Sequence, residues 1–210
     1  MTPLPHLRLA LFLLALVASA PSRASGGPFG IDHKIHDDHG AVWNRRNQNV
    51  LVYGSLVTVG VGAVWLGGED KLGNTFWRSV DSTTAAVLST QVLKRAFRRE
   101  RPAQTDDPNR FFKGRSADSF PSTEVATLAA AVTPFMVDYG SDHPTVYLLA
   151  LLPAYDAVAR VKTQRHWQSD VLIGALIGSG FGLWSVHRPS SWTLSVLPDS
   201  FQIGYRHHFD

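Results

Sequence analysis

The segment ARVKTQRHWQSD at residues 159–170 places a histidine and an aspartate four positions apart. If the segment is helical, the two side chains stack on one face, and Asp170 is predicted to contact the imidazole of His166. A carboxylate in this position fixes the tautomer of the ring and supports its cationic form. The oriented imidazole is then a competent nucleophile or base. A His–Asp pair on a helix surface, or an ion pair between Arg160 and Asp156, explains the same spacing equally well.

A basic segment, KRAFRRERP, lies upstream at residues 94–102. Lys94 and Arg101 are seven positions apart, so on a helix they share a face, two turns apart. Two cations on one face suit a phosphate, whose oxygens accept several charge-assisted hydrogen bonds. Pro102 is expected to end this helix. Taken alone, the segment favours a solvated basic face, because three more arginines lie between the two cations: Arg95, Arg98 and Arg99.

Between these two segments, residues 119–124 read SFPSTE and are followed by an alanine-rich stretch. Ser122 is predicted to be the N-cap of a helix. Glu124 in the first helical turn would complement the helix dipole. The same helix start also offers hydroxyl and backbone N–H groups to an anion, so capping and anion binding are compatible interpretations.

Together the three segments resemble the type 2 phosphatidic acid phosphatase superfamily, whose core is similar to that of the acid phosphatases and vanadium haloperoxidases. The segment at 94–102 matches its K-x6-R-P element, the segment at 119–124 begins its P-S-G-H element, and the segment at 159–170 matches most of its S-R-x5-H-x3-D element. Their order and intervals are typical of the superfamily, and the resemblance covers about residues 75 to 187. The matching residues are Lys94, Arg101, Pro102, Pro121, Ser122, Arg160, His166 and Asp170.

The resemblance implies metal-independent hydrolysis of a phosphate monoester or pyrophosphate, with no cofactor. His166 would attack phosphorus to form a phosphohistidine, and Asp170 would orient and charge-stabilise the ring. The expected phosphate-binding residues are Lys94, Arg101, Ser122, Thr123 and Arg160.

The sequence departs from this pattern at two places. Thr123-Glu124 replaces Gly-His, and Ala159 replaces the serine before the arginine. In the superfamily the histidine is taken to protonate the leaving oxygen, so Glu124 is the third expected catalytic residue. It can do this if burial or a neighbouring carboxylate raises its pKa toward neutrality, whereas an ionised Glu124 would repel the substrate. The serine replaced by Ala159 should cost one phosphate contact, which is the smaller effect.

Composition excludes several classes of protein. The 210 residues suit one domain, and the absence of cysteine excludes disulfides, a thiol nucleophile and Cys-ligated metals. A hydrophobic content of 44% with 18% charged residues excludes a disordered chain. Without the first 24 residues the chain has 18 basic and 17 acidic residues, so nucleic-acid binding is not expected.

The predicted organisation has four parts. Residues 1–24 have the charged start, apolar run and small residues of a signal peptide, with an N-terminal anchor as the alternative. Residues 25–49 form a polar segment with three histidines, which resembles a metal-binding tract but is better explained as a solvated face because of its aspartates. A phosphatase helical domain follows at 50–190, and 191–210 is predicted as a C-terminal β-hairpin. The named side chains of the polar segment are Asp32, His33, His36, Asp37, Asp38 and His39.

The predicted fold class is all-α, a bundle of about five or six helices. Asn47–Gly68 is charge-free and is the only segment after the signal that is predicted to be long enough to span a bilayer. The remaining helical segments, whose apolar stretches have the length of core helices, are Ser79–Phe97, Val125–Val137, Thr145–Tyr155 and Val171–Val186.

These features predict an exported phosphatase that faces the periplasm, associates with the inner membrane and acts on a lipid phosphate. Phosphatidate, phosphatidylglycerol phosphate, undecaprenyl pyrophosphate and a lipid A phosphate are the candidate substrates, and a soluble nonspecific acid phosphatase is also compatible. The main alternative is a non-catalytic envelope protein that binds lipid phosphates or other anions, which the departures at Glu124 and Ala159 motivate. A vanadate-dependent haloperoxidase is the third alternative, and the short chain disfavours it.

Overall fold

The computed structural model describes residues 26–187, together with the backbone of residues 192–197 and 200–205. Within 26–187 it is helical and contains no strand, which confirms the all-α class. A 3₁₀ segment at Pro144–Ala150 precedes the fourth helix, so the stretch predicted as one helix at Thr145–Tyr155 is divided between the two. The five helices are α1 (Arg45–Leu66), α2 (Lys71–Phe97), α3 (Thr123–Tyr139), α4 (Leu151–Lys162) and α5 (Gln168–Val186).

The two ends of the chain add little to this description. The predicted signal peptide at residues 1–24 lies outside the described residues. Near the C-terminus, the backbone of Trp192–Leu197 (β1) pairs antiparallel with that of Ser200–Tyr205 (β2). The side chains of this part are outside the description, so the β-hairpin predicted for 191–210 stays a prediction.

Helix α3 lies at the centre of the bundle because its small residues allow close approach on several sides. Ala126 and Ala130 are buried against Ala86 of α2. Hydroxyl groups reinforce this contact, since Ser79 and Ser82 of α2 donate to backbone carbonyl oxygens of α3. A buried hydroxyl that finds a partner in this way avoids the cost of desolvation.

Helix α5 packs against α3 through glycines spaced four residues apart. A Cβ atom at Gly178 would lie 2.1 Å from the carbonyl oxygen of Ala126, and one at Gly174 would lie 2.5 Å from that of Ser122. Only glycine permits so close an approach. Because Gly174 meets the start of α3 and Gly182 meets Thr133 further along it, the two helices run in the same direction. Their N-terminal ends therefore lie together at one end of the bundle.

The basic segment at 94–102 differs from its prediction. Helix α2 ends at Phe97, where Arg98 adopts a left-handed conformation with φ of 41°. Lys94 and Arg101 therefore do not share a helical face, and Pro102 lies beyond the end of the helix. Arg99, predicted as part of a solvated face, is completely buried.

The polar N-terminal segment also contains a buried residue. Asp32, predicted to belong to a solvated face, is only 3% exposed. Its carboxylate accepts hydrogen bonds from Arg99 and from the backbone and hydroxyl of Ser169. Within residues 26–187, no group of three or more His, Asp or Glu side chains has the arrangement of a metal site.

Two described helices are long and apolar enough to cross a bilayer, namely α1 and α5. The prediction that only Asn47–Gly68 has this property is therefore wrong, since Val171–Val186 continues to Gln168 within α5. Large apolar side chains on α1 remain exposed, among them Val57, Val61 and Trp65. Length, composition and exposure together are consistent with membrane association.

Candidate active site

His166 is fully buried at the end of the bundle where α3 and α5 begin. It lies in the turn before α5, whose N-cap is Trp167, and not on a helical face as predicted. Its Nδ1 lies 2.7 Å from the carbonyl oxygen of Ser119, which fixes the proton on this nitrogen. Its Nε2 is buried and has no hydrogen-bond partner among the described residues. When the ring is neutral this nitrogen carries the lone pair, and it can then act as a nucleophile or base.

Asp170 lies in the first turn of α5, where its carboxylate also accepts the backbone N–H of Trp167. The distance from Asp170 Oδ2 to His166 Nδ1 is 3.7 Å, too long for a hydrogen bond. The hydroxyl of Ser119 instead donates to Asp170 Oδ2 at 2.5 Å, while the carbonyl of Ser119 accepts from His166. The predicted contact of Asp170 with the ring is therefore electrostatic, and Ser119 supplies the hydrogen-bonded connection.

A buried arginine holds Asp170 from the other side. Arg99 donates to Asp170 Oδ1 at 2.5 Å and to Asp32 Oδ2 at 2.6 Å, and all three side chains are inaccessible to solvent. The hydroxyl of Ser169 also accepts from Arg99. Two carboxylates share one guanidinium here, and every contact is charge-assisted. This network ties the N-terminal segment to the turn that carries His166.

Glu124 contacts both His166 and Arg160. Its Oε1 accepts a hydrogen bond from Arg160 Nη1 at 3.0 Å, and its Oε2 lies 3.5 Å from His166 Nε2. Burial alone would raise the pKa of Glu124, but the contact with the His166 ring and the charge of Arg160 outweigh burial and hold this pKa well below its usual range. Glu124 is therefore ionised in the free protein, and the elevated pKa considered from the sequence is not present.

Arg160 is also buried, and a second carboxylate approaches it. Its Nε lies 3.3 Å from both oxygens of Asp156, one helical turn earlier, so the ion pair considered from the sequence is present. Burial raises the pKa of Asp156 above its usual value, although the charge of Arg160 opposes this shift. Arg45, at the start of α1, lies 3.9 Å from Glu124 Oε1 and adds a further positive charge.

Lys94 and Arg101 both contact Asp118, a residue that the sequence analysis did not identify. Lys94 Nζ donates to the backbone carbonyl of Asp118 at 2.5 Å, and Arg101 Nε donates to its carboxylate at 2.8 Å. Burial lowers the pKa of Lys94 to about 8, because the charged ammonium is separated from water. Asp118 thus brings Lys94 and Arg101 together, although Lys94 lies within α2 and Arg101 lies beyond its end.

The start of α3 confirms the predicted cap. The side chain of Ser122 accepts from the backbone N–H of Val125, and its own N–H donates to the carbonyl of Asp170. Ser122 is completely buried, so in the free protein it acts as a cap. The hydroxyl oxygen of Thr123 is buried without a partner in the described part of the chain, so it can donate to an incoming anion.

A pocket of about 740 Å³ opens beside these residues. Part of its wall is polar and carries Lys94, Arg101, Asp118, Thr123 and Glu124. Another part is apolar and comes from α1 and α2, with the side chains of Val52, Leu56 and Val87. His166 and Arg160 are buried and do not line the pocket. Glu124, which lines the pocket and contacts both, therefore stands between it and the imidazole.

The structure brings all eight predicted site residues to one end of the bundle: Lys94, Arg101, Ser122, Thr123, Glu124, Arg160, His166 and Asp170. Sequence reasoning missed the residues that support them. Ser119 lies in the recognised segment at 119–124 and Arg99 lies in the basic segment at 94–102, so both could have been considered from the sequence. Asp32 offered no such signal, because it lies 137 positions from its partner Ser169.

The structure is thus a helical bundle with a buried imidazole behind a pocket that cations line. The family model described as PAP2 superfamily matches residues 76–193, more than half of the chain. The chain belongs to the PAP2 superfamily, which confirms the resemblance carried by the three segments.

Lipid A 1-phosphatase of Porphyromonas gingivalis is similar to part of this chain, with 39% identity over 66 residues. The alignment covers 31% of this chain and 15% of the relative, so it concerns a small part of that protein. No solved structure matches the chain at a significant level.

Proposed function

We propose that this protein is a metal-independent phosphatase of lipid phosphates or pyrophosphates that works through a phosphohistidine at His166. The observation that carries the proposal is the buried Nε2 of His166, which has no hydrogen-bond partner among the described residues and lies 3.5 Å from a carboxylate facing the pocket. Membership of the PAP2 superfamily and the lipid phosphatase relative support the same chemistry.

In the first step Nε2 of His166 attacks phosphorus, and the bond from phosphorus to the leaving oxygen breaks. In the second step water attacks the phosphohistidine and releases inorganic phosphate and the free imidazole. Negative charge spreads over the equatorial phosphoryl oxygens in both transition states, where cations and N–H donors stabilise it. The groups assigned to these oxygens are Lys94, Arg101, Arg160 and the start of α3 with Ser122 and Thr123.

Glu124 has to change its partner and its protonation state for this cycle. A phosphate that binds Arg160 displaces the carboxylate from the guanidinium, which removes one cause of its low pKa. The negative phosphate beside it raises the pKa further, since two adjacent anions disfavour each other. Glu124 then takes up a proton, donates it to the leaving oxygen and afterwards accepts one from water.

The position of His166 also depends on the residues behind it. Asp170 stabilises the positive charge that develops on the ring, and Ser119 holds the ring in the orientation that directs Nε2 toward Glu124. A ring fixed before the substrate arrives needs little reorganisation during the reaction.

A lipid substrate fits the shape and the chemistry of the pocket. The polar part of its wall provides cations for a phosphate, and the apolar part provides contact for an acyl or prenyl chain. Two helices long and apolar enough to span a bilayer support a site near a membrane. We therefore propose an envelope protein that is exported by residues 1–24, faces the periplasm and associates with the inner membrane.

The second candidate function is a non-catalytic protein that binds lipid phosphates. The ionised Glu124 favours it, because a carboxylate on Arg160 and beside His166 opposes entry of a phosphate. The replacement at Ala159 favours it as well, because a methyl group cannot donate a hydrogen bond.

Phosphate release by purified wild type and His166→Ala on a panel of lipid phosphates, in the presence of EDTA, separates the two candidates. Release by wild type alone establishes the histidine phosphatase, and acid-labile phosphate trapped on the wild-type protein identifies the intermediate. If neither protein releases phosphate while both bind vanadate, the binding protein is correct. Loss of wild-type activity in EDTA that a divalent ion restores contradicts the metal-independent mechanism.

A further inference from the structure

We propose that Arg95, Arg98 and Arg115 form a second anion subsite in the pocket, which binds a second phosphate group of the substrate. The inference rests on the proposed function, because the first phosphate is the one presented to His166. It names the substrate class more narrowly, as an apolar chain that carries two phosphate groups.

The three arginines line the same pocket as Lys94 and Arg101. None of their side chains makes a hydrogen bond or ion pair with another described residue. Other arginines at this end of the molecule behave differently, since Arg101 donates to Asp118 and Arg110 donates to Glu100. All three residues are exposed and form part of the pocket wall, so their guanidinium groups can receive an anion that comes from outside the chain.

The backbone holds this wall in a fixed shape. Arg98 and Phe112 both adopt left-handed conformations, with φ of 41° and 58°, which non-glycine residues rarely do. Phe112 N donates to the carbonyl of Phe97 at 2.8 Å, and Lys113 N donates to that of Arg98 at 3.0 Å. These bonds fasten the loop before Arg115 to the end of α2.

Aromatic packing adds support beneath the loop. The ring of Phe97 packs against those of Phe111, Phe112 and Phe120, with centroids 5.2–6.3 Å apart. Contacts of this kind favour a defined arrangement of the rings. The guanidinium of Arg98 therefore starts from a backbone that is already ordered, which lowers the entropic cost of binding an anion.

The charge balance in the pocket exceeds what one phosphate needs. Five basic residues line it against two carboxylates, and both carboxylates are engaged, Asp118 by Arg101 and Glu124 by Arg160. A phosphate presented to His166 is served by Lys94, Arg101 and Arg160. The three remaining arginines are free for a second phosphate, while the apolar wall receives the chain.

Binding in neutral dodecylmaltoside micelles tests the subsite without requiring turnover. The protein carries His166→Ala, and the ligands are dioctanoyl phosphatidate, with one phosphate, and dioctanoyl phosphatidylglycerol phosphate, with two. We expect the two-phosphate lipid to bind more tightly. The added double change Arg98→Gln and Arg115→Gln should weaken it about tenfold, as expected for loss of charge-assisted contacts worth about 1.4 kcal/mol. Binding of the one-phosphate lipid should change less than about twofold.

Lys113→Gln is the matched control, because Lys113 is exposed in the same loop but does not line the pocket. It should leave the affinity for both lipids unchanged. Equal losses for both lipids, or an equal loss in Lys113→Gln, would show general electrostatic attraction and overturn the subsite. Thermal unfolding of each variant shows whether the fold is intact, and Arg95→Gln provides a further variant if the double change fails to fold.

Anionic phosphatidylglycerol added to the micelles distinguishes the source of the second phosphate. If it strengthens binding of the one-phosphate lipid through Arg98 and Arg115, a neighbouring headgroup fills the site and the proposal is wrong. Turnover by the protein that retains His166 is measured separately. Selective binding of the two-phosphate lipid without turnover would reject the phosphatase and leave the subsite standing. Turnover without selective binding would support the phosphatase and reject the subsite.

Discussion

Oε2 of Glu124 lies 3.5 Å from Nε2 of His166, between the imidazole and the pocket. The carboxylate also accepts a hydrogen bond from Arg160. It therefore contacts both Arg160 and His166, the two groups that the proposed mechanism requires to meet the phosphate. In the free protein the site is therefore closed by an anion of its own chain. In the proposed mechanism a substrate has to displace Glu124 before His166 can reach phosphorus. Binding of the substrate and protonation of Glu124 are then coupled.

The change Glu124→Gln removes the negative charge and keeps the shape of the side chain. We expect tighter binding of vanadate, because the anion no longer competes with a carboxylate for Arg160. We also expect turnover of alkyl phosphates to fall more than turnover of p-nitrophenyl phosphate, whose leaving group needs no proton. Vanadate inhibition constants and kcat/KM for both substrates provide the measurement, because kcat/KM reports departure of the leaving group and not the hydrolysis of the phosphohistidine, which both substrates share. Equal losses on both substrates would show that Glu124 is not the acid.

The change Ser119→Ala removes the hydroxyl that joins Ser119 to Asp170 but keeps the carbonyl that accepts from His166. A buried hydrogen bond to a charged group contributes about 1.5–3 kcal/mol, so we expect kcat to fall about 10- to 100-fold. KM should stay nearly constant because Ser119 positions the ring and does not bind substrate. Ser116→Ala, at an exposed serine nearby, is the control. An unchanged kcat in Ser119→Ala would exclude the positioning role.

Lys94 should set an alkaline limit on activity. Burial lowers its pKa to about 8, so the ammonium that holds a phosphate is lost as pH rises through this value in the free enzyme. We expect kcat/KM to decline above pH 8, because this ratio reports ionisations of the free enzyme. In Lys94→Arg the guanidinium remains charged, and the decline should disappear. A decline that persists unchanged in this variant would assign it to another group.

The glycines of α5 should differ in their tolerance of a methyl group. Gly178→Ala places Cβ 2.1 Å from the carbonyl oxygen of Ala126, so α3 and α5 have to separate. We expect a loss of about 1–3 kcal/mol in the free energy of unfolding, as overpacking typically costs. Gly180→Ala is the matched control, because no atom lies within 4 Å of its added Cβ. It should be neutral or stabilising by up to about 1 kcal/mol. Similar thermal unfolding curves for the two variants would contradict the close packing of α3 and α5.

Much of the fold could be predicted from local sequence. The apolar segments specify helices, and Ser122 caps α3 as expected because capping depends on a side chain and a backbone N–H three residues away. The start of α2 was harder to predict, because the helix begins at Lys71 and not at Ser79. The predicted segment does end at Phe97, where Arg98 turns into the left-handed region. The loop that pairs with this helix end lies more than ten residues further along.

The sequence by itself determined which residues are candidates for the chemistry. Lys94, Arg101, Arg160, His166 and Asp170 were recognised because they stand at the matching positions of the superfamily's sequence elements.

Only the tertiary structure decided how those groups act. Arg99 is buried between Asp170 and Asp32, although Arg95 and Arg98 in the same basic segment are exposed. The pKa of Glu124 is lowered and not raised, because Arg160 and His166 approach it from α4 and from the turn before α5. Burial and ionisation depend on distances between residues that are far apart in the chain, and packing of the helices sets those distances.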